Sequence, residues 1–256
     1  MSWISKTLTS SIGRKIVMAT TGLFLCSFLV VHLLINLQLL RHDGGASFNF
    51  WAEFMGTNPV IRFMEIVLML GFAVHIYQGL ALAIKNKKAR GAQGYVVNHP
   101  EQNSQWASRN MALLGTLLLI FLIVHLMNFW VRSRFDAFGG LAEVKVPNLD
   151  HPVGDLYSVA ATSFKIPWYV VLYALAQIAL GYHLWHGFRS GFQTLGVKHP
   201  KYTPAIYYTG YVFSVVIAVL FALVPIVMFF GDQYQPRPAT GQTVEQSLTE
   251  EPAALR

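Results

Sequence analysis

Five long apolar stretches, residues 16–40, 60–84, 109–131, 166–188 and 205–230, restrict what this chain can fold into more than any other feature. A helix needs roughly 20 mostly apolar residues to cross the hydrocarbon core of a bilayer, and each stretch meets that length. Composition agrees, with 54% hydrophobic and only 12% charged residues, a balance far from that of a soluble globule. The expected fold class is an all-α integral membrane protein. A five-helix bundle over 16–230 would follow an amphipathic lead-in over 1–15 and precede a tail over 231–256 that lacks a hydrophobic pattern. The connections are too short to fold as catalytic or nucleotide-binding domains, so any chemistry belongs inside the bundle or to other subunits.

Several classes of chemistry are excluded early. The single cysteine, Cys26, lies within the first stretch, which rules out disulfide frameworks, thiolate zinc sites and iron–sulfur clusters. No Gly-rich phosphate loop of the GxGxxG or Walker type occurs. The net charge of +7 is explained by topology, with no nucleic-acid partner implied. Lys6, Arg14 and Lys15 precede the first stretch, Lys85, Lys87, Lys88, Arg90 and Arg109 flank the second connection, and Arg189, Lys198 and Lys201 follow the fourth stretch. The intervening connections mix Arg41, Arg62, Arg132, Arg134, Lys145 and Lys165 with Asp43, Glu53, Asp136, Glu143, Asp150 and Asp155. The positive-inside rule then places the N-terminus in the cytoplasm and the C-terminal tail outside. The opening MSWISKTLTSSIGRK leads into an apolar run too long for a signal-peptide core and reads as a retained segment, with a transit peptide as the lesser alternative.

Histidine is the informative residue. "FLVVHLLINL" carries His32 and "FLIVHLMNFW" carries His125, each in the middle of an oily run. At about 1.5 Å of rise per residue, the outward-running first and third spans bring these two to one outer depth. The inward-running second and fourth spans bring His75 and His183 to an inner depth, with His186 one turn further on. His42, His99, His151 and His199 fall in connections and read as solvent-exposed. One buried histidine is most often a hydrogen-bonded packing residue, but four at two matched depths are not readily explained that way, because ionisable groups in a membrane are costly and mark function. Two inward-facing imidazoles make an axial pair for a six-coordinate haem, and bundle interiors hold such cofactors. Two haems are therefore expected, one on His32/His125 and one on His75 with a helix-four histidine, His183 or His186, between which depth alone does not choose. Both "HIYQG" and "HLWHG" place a glycine one turn after the histidine, Gly79 and Gly187, leaving room beside the helix, although small residues there also serve ordinary helix packing. Zinc is disfavoured because no third ligand shares either depth. A histidine proton relay would require intramembrane carboxylates, and Glu65 alone lies within a span.

With these residues in view, the chain resembles the dihaem cytochrome b membrane anchor of succinate dehydrogenases and fumarate reductases (succinate:quinone oxidoreductases), the type with one five-helix anchor. The likeness runs from Ser11 to Phe230 through "SSIGRKIVMATTGLFL", "FLVVHL", "MEIVLMLGFAVHIYQG", "FLIVHLMNFW" and "GYHLWHGFRSGFQTLGV". In that family the histidines of helices two and four bind the haem nearer the cytoplasm and those of helices one and three bind the outer haem, the pairing that depth had given. The family's helix-four pattern selects His183 over His186.

The resemblance implies further parts. It supplies a cytoplasmic flavoprotein subunit for the dicarboxylate chemistry, an iron–sulfur subunit docked on the inner face, and a membrane quinone, expected to be menaquinone, in the lipid of a bacterial cytoplasmic membrane. Outward-facing quinone sites of the family use a carboxylate near the start of helix two, here Glu65 or Glu53, which suits exchange of quinol protons; a helix-terminus charge and a solvated loop charge are the respective alternatives. Haem propionates need donors or cations, and Thr20, Thr21, Trp106, Arg109, His186 and Arg189 are the candidates at the inner edge. Gly181 stands where some fumarate reductases carry a glutamate of a transmembrane proton path, a departure that leans toward succinate oxidation. The anchor of a formate dehydrogenase or hydrogenase is the nearest alternative function; a transporter or scaffold fits the hydropathy but not the matched depths.

Overall fold

The computed structural model describes residues 10–91 and 104–237. Lys6, His99, most of the expected lead-in and the tail beyond 237 lie outside the described residues. Nine α-helices are described: α1 (Ser11–Asn36), α2 (Ala46–Thr57), α3 (Pro59–Arg90), α4 (Trp106–Arg109), α5 (Met111–His125), α6 (Arg132–Phe135), α7 (Leu156–Phe164), α8 (Pro167–Thr194) and α9 (Thr203–Phe230). Among the described residues four segments, Ser11–Leu40, Pro59–Ala89, Met111–Phe135 and Thr203–Phe230, are long and apolar enough to cross a membrane. A fifth span exists if α7 and α8, bent by 97° across their junction, count as one. Several long apolar helices of this kind are the make-up of a multi-pass membrane protein.

The exposed surface of these helices is apolar at helical spacing. On α3 the exposed side chains include Phe63, Ile66, Leu70, Val74 and Tyr77, and on α8 they include Val171, Leu175, Ile178 and Tyr182. A soluble helix turns such a stripe inward; here Leu70 is 62% and Tyr77 71% exposed, the arrangement expected where lipid is the solvent.

Local chemistry sets the helix boundaries. Pro59 opens α3, where its missing N–H costs nothing, and the Asn58 side-chain oxygen accepts from Val60 N at 3.0 Å and Ile61 N at 3.3 Å. At the end of α8, Val197 N donates to Phe192 O and Gly196 N to Gln193 O, with Gly196 at φ +80°, which is a Schellman termination. Lys165 donates from Nζ to the carbonyls of Phe229 and Gly231 at 3.2 and 3.0 Å, satisfying orphan carbonyls at the end of α9.

Ordered structure extends beyond the apolar stretches at three places. Ser11–Lys15, within the expected lead-in, are already helical in α1, with Arg14 N donating to Ser10 O at 3.0 Å. The connections at 41–59 and 132–165 hold α2, α6, α7 and a hairpin of β1 (Glu143–Val144) and β2 (Val153–Gly154), with Glu143 opposite Gly154. The start of the tail, 231–237, is packed. Tyr234 is 3% exposed and donates to Leu40 O at 3.0 Å, and Arg237 donates from its side chain to Gly44 O.

The chain divides into two compact units. Unit one comprises Met1–Val30, Glu65–Ile120 and Ile178–Ala218. Its helices meet through small residues: a Cβ on Gly71 would lie 3.2 Å from the Phe24 ring, and one on Gly191 would lie 3.3 Å from Leu23, the close-approach contact of membrane helices. Gly181 packs in the same way, since a Cβ there would lie 3.3 Å from the Ala218 Cβ, so a glutamate would displace α9.

Unit two comprises Val31–Met64, Phe121–Gln177 and Val219–Arg256. It holds the larger core, where Leu39, Phe48, Tyr157, Phe164, Tyr173 and Met228 are all buried. A buried polar knot ties its segments together. Asn49, fully buried, donates to Asp155 Oδ1 at 2.8 Å and accepts from Tyr157 N at 2.9 Å. Asp155 also caps α7 through Ser158 N at 3.1 Å and lies 3.5 Å from Arg237 Nη1.

Candidate haem-ligand pairs

In unit one, His75 on α3 and His183 on α8 lie with ring centroids 6.2 Å apart and ring planes at 68°. In unit two, His32 on α1 and His125 at the end of α5 lie 5.7 Å apart with planes at 88°. Both pairs join residues remote in sequence; depth had matched His32 with His125 and His75 with helix four, and the resemblance had chosen His183 there. His183 is the ring placed beside His75, while His186 is half-buried a turn away. Among the described residues no three His, Cys, Asp or Glu side chains converge on a site for a metal ion.

These separations fit a metal held between two imidazoles. Metal–imidazole bonds of about 2 Å, laid end to end, put facing ring centroids about 6 Å apart, close to the 6.2 Å of the first pair and slightly beyond the 5.7 Å of the second. The Nδ1 of His183 is buried without a hydrogen-bond partner, so this ring, unlike that of His75, has no protein group holding its Nδ1. Space is kept beside the first pair: a Cβ on Gly187 would meet nothing within 4 Å, and one on Gly79 only the Met18 methyl at 3.7 Å. The chain therefore fits a flat, metal-centred group at this pair.

Each pair has polar support. Thr21 Oγ1 lies 3.2 Å from His75 Nδ1 and donates its own proton to Val17 O at 2.8 Å. A Cβ on Gly22 would lie 3.3 Å from His75 Cε1, so this glycine lets the ring sit against α1. In unit two, Tyr173 OH lies 3.3 Å from His125 Nδ1 and 3.4 Å from Tyr169 OH. Phe121 and Phe129 flank the His125 ring at 5.7 and 5.3 Å, and Phe221 lies 5.6 Å from His32. Directly after His125 the helix widens into a π-turn over Leu126–Val131, a feature frequent at functional sites. Asn128, within this turn, donates to Ser163 Oγ at 2.9 Å.

The other expected residues are placed less uniformly. Thr20, Thr21, Trp106, Arg109, His186 and Arg189 all belong to unit one, as His75 and His183 do. Of these, Thr21 lies within hydrogen-bond distance of a paired histidine, His75, at its ring edge. Thr20 is exposed, Trp106 packs edge-on to Tyr182 at 5.4 Å, Arg109 donates to Ser104 O, and Arg189 stacks over Tyr207 at 4.1 Å. Glu53 and Glu65 fall in different units. Glu53 stands on α2 with Oε1 3.5 Å from His151 Nε2, and His151 Nδ1 lies 2.8 Å from Asp150 Oδ1. Glu65 is part-buried on α3. His42, His151 and His199 are exposed, as expected, but His151 sits between two carboxylates. Burial of one Arg132 donor, Nε, without a hydrogen-bond partner adds a cation in the unit of His32 and His125 that the sequence reading had counted only as loop charge.

Pairings such as Tyr173 with His125 carry no sequence signal, because they depend on how α5 and α8 pack. Thr21 had one: it precedes Gly22 on the first span, but on a helix a hydroxyl of this kind reads first as a backbone-bonded packing residue. No protein-family model, curated protein or solved structure matches this chain.

Proposed function

We propose that this chain is the dihaem, quinone-reacting membrane anchor of a succinate:quinone oxidoreductase, a five-span protein of the bacterial cytoplasmic membrane with its N-terminus inside. The observation that carries the reading is the pairing of four span histidines into two sets, His75 with His183 and His32 with His125, at separations suited to a six-coordinate metal. The resemblance of the histidine-bearing segments supports the assignment to this enzyme class. A haem b held by His75 and His183, and another by His32 and His125, would supply reversible one-electron transfer.

The chain's own residues do the rest. The four imidazoles bind and orient the two groups; the apolar side chains around them, Phe121, Phe129 and Phe221 among them, exclude water and lower the local dielectric. Half-buried Arg132 offers a donor to an anionic substituent near the outer pair, and the inner edge offers His186 and Arg189. Glu53 serves the quinone, expected to be menaquinone, by taking up or releasing its protons, and His151 beside it passes them to the surface. Flavoprotein and iron–sulfur subunits on the cytoplasmic face carry the succinate and fumarate chemistry, for which this chain holds no residues.

Reconstitution tests the assignment. Succinate-dependent quinone reduction should appear only when the chain is combined with both soluble subunits, and His75→Ala should abolish it. A chain that performs the reaction unaided, or an intact complex indifferent to His75→Ala, would refute the proposal.

A further inference from the structure

Thr21 was a candidate for contacts to a haem's carboxylates, but its geometry assigns it a different task. Its hydroxyl has one proton and two lone pairs. The proton goes back along α1 to Val17 O at 2.8 Å, with Met18 O at 3.2 Å as a secondary acceptor. The contact to His75 Nδ1 at 3.2 Å is then made by a lone pair, so Nδ1 carries the imidazole proton. A neutral imidazole has one donor and one acceptor nitrogen, and Nε2 is left with its lone pair free. The adjacent Gly22 approaches the same ring at Cε1, where a Cβ would come within 3.3 Å, so one short segment of α1 fixes both the tautomer and the seat of the ring. His183 has no such partner, since its Nδ1 is buried and unbonded. The support at this pair is one-sided.

We infer that Thr21 is a positioning residue that locks His75 as the Nδ1–H tautomer and thereby sets the electron affinity of the group His75 ligates. The inference rests on the haem-anchor reading. An Nδ1–H that donates to a firm acceptor makes Nε2 a stronger base, which favours the oxidised metal and lowers the midpoint potential. Removing the acceptor raises that potential at this pair alone, because Thr21, Gly22, His75 and His183 all belong to unit one while His32 and His125 belong to unit two.

The test uses the full chain with its histidine rings labelled with ¹⁵N. In the haem-free chain, wild type and Thr21→Ser should show His75 protonated at Nδ1, and Thr21→Val should show a mixture of both tautomers. In a redox titration Thr21→Val should lower the oxidised-to-reduced ratio of one haem at fixed potential by about tenfold, a rise of about 59 mV for one electron. Thr21→Ser should titrate as wild type, and the second haem should not move in either variant. If Thr21→Val does not accumulate, Thr21→Ala removes the same oxygen and should give the same shift. An unaltered His75 tautomer together with unaltered potentials in the variant that accumulates overturns the inference. A wild-type chain that binds no haem, yet shows the Nδ1–H signal, would instead defeat the electron-carrying reading, and with it the effect on potential, and leave only the tautomer lock standing.

Discussion

Substituting Asp155→Ala should open the polar knot of unit two, and its cost follows from what the carboxylate holds. Asp155 is 4% exposed, caps α7 through Ser158 N, accepts from Asn49 Nδ2, and faces the Arg237 guanidinium, which is 9% exposed, at 3.5 Å. Losing a cap costs about 1 kcal/mol, and removing one partner of a buried ion pair costs about 3–5 kcal/mol because the other charge is stranded. These effects overlap, so a local loss of about 4 kcal/mol is expected. Every 1.4 kcal/mol is about tenfold in an equilibrium, and cleavage by a protease tracks the open population. Limited proteolysis in detergent should therefore cut the segment around residues 150–165 roughly 500- to 1,000-fold faster in the variant. Asp150→Ala, at a fully exposed position, should stay within about threefold, since surface changes fall within about 0.5 kcal/mol. The double variant Asp155→Ala/Arg237→Met should recover more than about 1 kcal/mol relative to the sum of the singles. Equal cleavage of Asp155→Ala and Asp150→Ala, or strict additivity in the double variant, would refute the reasoning.

Two further outcomes follow from the site. His151 has its pKa raised, first by the hydrogen bond to Asp150 and then by that to Glu53, while the same bond holds the Asp150 carboxyl below its usual range. A raised histidine pKa means the contact is fully made below the ordinary value of about 6.5 and is lost as pH rises through the higher folded value. A ¹H–¹⁵N titration should place His151 above 6.5 in the wild type and lower it in Asp150→Ala; a His151 that titrates alike in both would count against the bridge. At the first pair, Gly187→Leu meets no protein atom within reach of its Cβ, so the helix should fold normally. The added side chain should nonetheless halve the haem content by occupying the space beside His183, and full content measured as pyridine haemochrome would show that the space is not used.

The long helices and the four histidines were legible because hydropathy and helical rise are local properties. Helix ends were not: Ser11, Arg14 and Lys15 at one end and Lys85, Lys87 and Lys88 at another extend α1 and α3 past the apolar run. Backbone hydrogen bonding continues through residues that a hydropathy window discounts. Matched depth brought His32 to His125 and His75 to helix four, since straight helices preserve rise, but it did not choose between His183 and His186 and could not give ring-edge partners. Thr21 and Tyr173 touch histidines 54 and 48 residues away, and such contacts are set by helix rotation and packing. The docking of Tyr234 and Arg237 was hidden for a related reason. A polar, proline-containing segment shows no hydrophobic period, yet Asp155 and the carbonyls of Gly44 and Leu40 supply partners that exist only in the folded unit.

The central claim is that the paired histidines hold two haems, and a reduced-minus-oxidised optical spectrum of the purified chain, quantified against protein, tests it most directly. The account predicts low-spin b-type haem at two per chain, falling to one in His75→Ala and to one, spectrally distinct, in His125→Ala. A chain that carries no haem, or whose haem is unaffected by both substitutions, would contradict it.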